Sequence, residues 1–75
     1  MAGKISIVGQ ITEIDREIAL RRQVYPKRVH EGKMRQEEAN MLMDRIQAVR
    51  ETLVFCQKHE AEIRAYMAEK KAGAA

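Results

Sequence analysis

Apolar residues recur at helical spacing along the first third of the chain, at Ile7, Ile11, Ile14 and Ile18, with Tyr25 seven residues further on. Arg21 fills the one gap in this series. Steps of four and three place the apolar side chains on one face of a helix. Ser6 is a suitable N-cap because its hydroxyl accepts from backbone N–H groups of the first turn. We predict a first helix over about residues 7–24, since the residue before a proline avoids the helical region.

A second apolar stripe follows the same steps over a longer stretch, with Glu60 as its one polar member. Its positions are Ala39, Leu42, Ile46, Val49, Leu53, Cys56, Glu60, Ile63 and Met67. Residues 36–72 contain neither proline nor glycine. The acidic side chains of Glu37 and Glu38 suit the positive end of a helix. The pattern predicts a second, unbroken helix over about residues 36–72.

The segment between the stripes, residues 25–35, is predicted to be a corner that contains one helical turn. Pro26 fixes the backbone for the start of a turn, and Gly32 tolerates the left-handed conformation that stops one. Tyr25 and Val29 are expected to pack beneath it. These four residues are the predicted structural corner.

A short corner leaves its two helices antiparallel, so we predict an all-α helical hairpin that forms a single domain over residues 1–75. The first helix ends opposite Glu60 and leaves part of the second helix uncovered. The uncovered side chains are Ile63, Tyr66 and Met67, and Phe55 lies off the main stripe. We call these four side chains the apolar surface. A hairpin with a narrow seam and uncovered apolar surface is only marginally stable as a monomer. We therefore expect a homodimer, with two hairpins forming a coiled-coil-like four-helix bundle.

The corner also concentrates positive charge, within a chain that has 14 Lys and Arg against 11 Asp and Glu. We call this group the basic corner; its members are Arg21, Arg22, Lys27, Arg28, Lys33 and Arg35. Such a cluster suits an acidic protein surface or nucleic-acid phosphates, and it also suits a solvated helix end. No helix-turn-helix pattern and no alternating aromatic residues accompany the cluster.

Residues that carry catalytic or metal chemistry are few and scattered. His30 and His59 are the only histidines, and Cys56 with His59 shares a helix face without completing a ligand set. We expect no enzyme activity, no metal and no cofactor. The single cysteine fits a reducing cytoplasm, here that of a host cell, and no apolar run approaches the roughly 18 residues of a membrane span.

The motif Val24-Tyr25-Pro26, preceded by Arg21 and Arg22, is followed by Val29 and by Gly32-Lys33-Met34. This pattern resembles small two-helix proteins encoded by tailed phages and prophages, over about residues 10–55. Those proteins usually carry Ser or Thr before the second helix, where this chain has Arg35. The resemblance implies a phage or prophage origin and two helices. It implies no settled activity and transfers no catalytic residues.

These observations favour a small phage-derived helical protein-interaction module. It would bind itself and a host or phage protein, whose activity it modulates. The alternative is an accessory protein that binds nucleic acid through the basic corner.

Overall fold

The computed structural model describes residues 4–73, and over them the chain forms three α-helices and no strand. They are α1 (Ile7–His30), α2 (Gln36–Lys58) and α3 (Glu60–Gly73). The all-α prediction is confirmed. The two-helix hairpin is wrong in its helix count, because the predicted second helix is divided into α2 and α3.

Helix α1 begins where the sequence predicts but ends later. Ser6 is the N-cap, and its Oγ accepts from the Gly9 N–H at 3.1 Å. The predicted end before Tyr25 is wrong, because α1 continues through Pro26 to His30. Proline inside a helix costs about 3 kcal/mol. Here Pro26 is exposed, while Tyr25 and Val29 on the same turns are half-buried and extend the inward stripe. The turn predicted in the corner is therefore the last turn of α1.

Gly32 ends α1 by the means that the sequence predicts. Its φ of 74° is the one positive φ within residues 4–73. The Gly32 N–H donates to Val29 O at 3.1 Å, and the Lys33 N–H donates to Arg28 O at 2.9 Å. This pair of bonds is a Schellman motif, which satisfies carbonyls left over at the helix end. Five residues, 31–35, then connect α1 to α2.

Helix α2 begins without a side-chain cap. Arg35 occupies the N-cap position with φ −80° and ψ 147° and makes no side-chain capping bond. Glu37 and Glu38 lie in the first turn, where carboxylates offset the helix dipole. Electrostatics rather than a hydroxyl cap therefore favours this helix start.

A single residue, His59, separates α2 from α3. Its φ of −109° and ψ of 19° lie outside helical values. The His59 N–H still donates to Phe55 O at 3.1 Å, and the Ile63 N–H donates to His59 O at 2.9 Å. The His59 ring lies 4.6 Å from the Phe55 ring between centroids, and its Nδ1 is 3.3 Å from Glu62 Oε1. The break is a change of dihedrals in one residue, and no helix breaker in the sequence marks it.

Helices α1 and α2 pack antiparallel along a narrow seam. Asp15 pairs with Arg50 near the middle, and Arg21 reaches Leu42 O nearer the turn. Only Ile18 and Ala39 are buried among the described residues, at 5% and 4% exposure. The seam thus holds two helices together without a closed core.

The predicted register of the seam needs one correction, at Val49. The apolar stripe predicted for the second helix includes Val49, yet Val49 is 45% exposed and Arg50 is half-buried beside the seam. Arg50 pairs with Asp15 of α1, which directs Arg50 rather than Val49 toward the seam.

The molecule is a rod. Its longest principal extent is 57 Å, close to the roughly 56 Å that α2 and α3 span when laid end to end. Its radius of gyration is 17.6 Å, against about 11 Å for a compact chain of this length. No Cα atom of α3 lies within 8 Å of a Cα atom of α1. Helix α3 therefore projects past the hairpin.

Candidate interaction surfaces

Arg21, a predicted member of the basic corner, lies in the seam between α1 and α2. Its Nε donates to Glu17 Oε1 at 2.9 Å, and its Nη1 donates to Leu42 O at 3.0 Å. Its guanidinium carbon lies 5.8 Å from the centroid of the Tyr25 ring, and its side chain is 23% exposed. The guanidinium is thus engaged within the chain. The gap in the apolar stripe is filled by a side chain that ties the two helices together.

The other five members of the basic corner are exposed around the end of α1 and the turn. Lys33 Nζ lies 3.7 Å from Glu31 Oε1. Within the described residues, no ion pair involves the other four, which are Arg22, Lys27, Arg28 and Arg35. Lys33 and Arg35 share a shallow depression with Glu37 and Glu38. The turn therefore carries both signs of charge, and the more purely basic part is the last turn of α1.

The apolar surface is exposed along α2 and α3, as the sequence predicts. The exposed fractions are 60% for Phe55, 40% for Ile63, 57% for Tyr66 and 59% for Met67. Ile63, Tyr66 and Met67 lie together on α3 because residues three and four apart share a helix face. Lys70 Nζ lies 5.9 Å from the centroid of the Tyr66 ring and borders this group. Phe55 lies on α2, on the other side of the break.

Val49 belongs to the exposed apolar residues, although the sequence reasoning assigned it to the seam. The signal that reveals it is the charge pair beside it. Arg50 Nε donates to Asp15 Oδ1 at 2.6 Å, which directs Arg50 rather than Val49 toward α1. A search for oppositely charged residues across the predicted seam would have found this shift.

The residues of the structural corner surround the closed end of the hairpin. Tyr25 and Pro26 line a small cleft together with Ala39 and Met43 of α2. Val29 is half-buried one turn beyond Tyr25, and Gly32 ends the helix. Of the four residues, Tyr25, Pro26 and Val29 lie within α1, and only Gly32 lies in the turn that follows it.

Titratable groups form pairs along the helices. The hydrogen bond from Arg16 to Glu13, with the attraction between their charges, raises the pKa of Arg16, and Asp15 raises the pKa of Arg50 in the same way. No group of three metal-ligating side chains occurs within residues 4–73. Cys56 is a free, half-buried thiol.

No helix in the described part of the chain has the length and apolar character needed to cross a membrane. No protein-family model matches the sequence, and no significant match is found among curated proteins or among solved structures. The resemblance to small phage proteins therefore stays a prediction.

Proposed function

We propose that this protein is a small helical interaction module of phage origin that binds itself and a host or phage protein, whose activity it modulates. The observation that supports this function is the amount of surface left open. The chain exposes 6436 Å², whereas a compact protein of 8.6 kDa is expected to expose about 4,700 Å². This excess of roughly 1,700 Å² is larger than the share of about 800 Å² that each partner contributes to a standard interface.

The chemistry of the open surface favours protein partners. Tyr66, Met67 and Phe55 supply aromatic and flexible apolar side chains, which are the types enriched at the centres of protein interfaces. Charged residues such as Lys70 border them, as in the polar rim of an interface. The last turn of α1 adds Lys27 and Arg28, which would steer an acidic partner toward the rod.

Sedimentation equilibrium tests the self-association that this function requires. We expect a dimer at micromolar concentration in the unmodified protein. Ile63→Glu should weaken the dimer at least tenfold, because it puts a charge in the apolar surface. Ala65→Glu is the matched control, since it adds the same charge to another face of α3. A fully helical monomer at 100 μM would contradict the proposal.

Nucleic acid is a second candidate partner, favoured by the four cations of the basic corner that have no ion pair within residues 4–73. Lys and Arg supply the electrostatic part of nucleic-acid affinity. Glu37 and Glu38 beside the turn oppose such binding, because they repel phosphates at the same end of the rod. The balance favours a protein partner.

A further inference from the structure

Three side chains on α2 and α3 form a line with equal spacing on either side of its middle residue, Cys56. Val49, Cys56 and Ile63 are spaced seven residues apart, so they lie on one face of a helix. Val49 is 45% exposed, Ile63 is 40% exposed and Cys56 is half-buried between them. We call these three residues the outer stripe. It runs beside the seam with α1. Its two end residues, Val49 and Ile63, are exposed among the described residues.

The break at His59 does not interrupt the outer stripe. The Ile63 N–H donates to His59 O at 2.9 Å, and the His59 N–H donates to Phe55 O at 3.1 Å. Hydrogen bonds between residues four apart therefore lead into and out of the break. Ile63 stays about two helical turns beyond Cys56, and the stripe extends from α2 onto α3.

We infer that a second copy of this chain packs on the outer stripe, antiparallel, with its two-fold axis beside Cys56. This inference rests on the self-association in the proposed function and specifies its geometry. The open surface is sufficient, because the excess of roughly 1,700 Å² is larger than each partner's share of a standard dimer interface. In a two-fold interface the same patch is used by both copies. An antiparallel arrangement about Cys56 then packs Val49 against the partner's Ile63. It also packs Cys56 against the partner's Cys56.

Charge complementarity selects the antiparallel direction. In this register Lys70 lies opposite Leu42 of the partner, and Glu38 is one turn from Leu42. Neither Glu38 nor Lys70 forms an ion pair within the described residues of its own chain. The antiparallel dimer brings these opposite charges together twice. A parallel dimer in the same register would instead align Glu38 with Glu38 and Lys70 with Lys70, which repel.

Disulfide trapping tests this geometry with the native cysteine and with relocated ones. Diamide takes the hydrogens of two thiols, becomes the hydrazine and leaves one disulfide. Packed helices lie 8–10 Å apart, which brings facing Cα atoms near the 4.4–6.8 Å that a disulfide needs. We expect the unmodified protein to form more than half covalent dimer through Cys56 within minutes. Cys56→Ser should form none, because no other cysteine is present in the chain.

Two relocated cysteines separate the antiparallel dimer from the parallel one. In the Cys56→Ser background, Val49→Cys alone and Ile63→Cys alone should each cross-link at least tenfold less than an equimolar mixture of the two. Glu51→Cys in the same background is the matched control, since Glu51 is not part of the outer stripe and lines a cleft between α1 and α2 with Asp15 and Arg50. It should not cross-link alone or in any mixture.

Three results would overturn the inference, and they are distinguishable. A dimer by sedimentation that does not cross-link through Cys56 would contradict this register and leave the proposed function standing. Efficient cross-linking of Val49→Cys with itself would show a parallel dimer. A monomer at 100 μM would contradict the proposed self-association and the inference with it.

Discussion

Gly32 shows how one residue fixes the course of the chain. Its φ of 74° lies in the left-handed region, which other L-residues adopt only at a cost of about 1–2 kcal/mol. A Cβ atom built at this position would meet no atom within 4 Å. Any cost of a substitution therefore arises from the backbone conformation and not from a clash.

Replacing Gly32 should measure that conformational cost. We expect Gly32→Ala to lower the free energy of unfolding by about 1 kcal/mol and Gly32→Val to lower it further, since branching at Cβ resists positive φ. Gly32→Asn is the control, because Asn tolerates the left-handed region and should lose less. Urea midpoints by circular dichroism provide the measurement. Equal midpoints for all four proteins would show that Gly32 is not left-handed in solution.

At the scale of elements, α1 keeps a proline in its last two turns. The stripe continues beyond it, with Tyr25 and Val29 half-buried toward α2. The Arg21 guanidinium lies over the Tyr25 ring, and Tyr25 lines a cleft with Ala39. These contacts hold the helix together where its own hydrogen bonding is weakened, because Pro26 has no N–H to donate.

Pro26→Ala tests whether α1 is continuous. In a continuous helix, alanine restores the missing donor and removes a steric conflict, so we expect the free energy of unfolding to rise by about 1–2 kcal/mol. Ala19→Pro, at an exposed position further up α1, is the control and should destabilise by about 3 kcal/mol. Both are read from thermal unfolding by circular dichroism. A lower stability of Pro26→Ala would indicate that the chain needs a corner at this point.

At the scale of the whole molecule, charge and apolar surface are separated along the rod. The basic corner lies at the turn between α1 and α2, while Ile63, Tyr66 and Met67 lie on α3. Helix α2, which is 23 residues long, lies between the basic corner and these apolar residues and separates them. Binding of an anionic partner and self-association should therefore respond to different substitutions.

Charge reversal at the basic corner tests this separation and decides between the two candidate partners. We expect Lys27→Glu with Arg28→Glu to leave helicity and dimerisation unchanged. We also expect the unmodified protein to bind a labelled 20-base-pair duplex with a Kd no lower than about 10⁻⁶ M, which is the tight limit of non-specific binding. Fluorescence anisotropy provides the measurement. Lys58→Glu with Lys71→Glu is the control, since it makes the same charge change away from the turn.

A nucleic-acid function would give a different result in the same measurement. Four phosphate contacts make affinity fall by about 100-fold between 50 and 200 mM salt. Tight duplex binding with this salt dependence, lost in Lys27→Glu with Arg28→Glu and kept in the control pair, would contradict the preference for a protein partner.

Local patterns in the sequence were sufficient for the helical class, the start of α1 and the left-handed stop at Gly32. Each depends on a few neighbouring residues: the spacing of the isoleucines, the Ser6 hydroxyl near the Gly9 N–H, and a glycine after a helix. The exposure of Ile63, Tyr66 and Met67 also followed from sequence, because the predicted first helix ends opposite Glu60 and is too short to cover them.

Tertiary packing decided most of the rest. Whether Pro26 ends α1 depends on Tyr25 and Val29 packing on α2, which local propensity does not report. Arg21 lies in the seam and not in the basic corner, because its guanidinium donates to Leu42 O on the neighbouring helix. Val49 lies outside the seam, because the bond from Arg50 to Asp15 directs Arg50 toward α1 instead. The contacts of His59 with Phe55 and Glu62 lie within about one turn along the chain, so the break at His59 has no tertiary cause among them. Sequence determines where a helix can form, whereas contacts between helices determine which face is covered and where the helix ends.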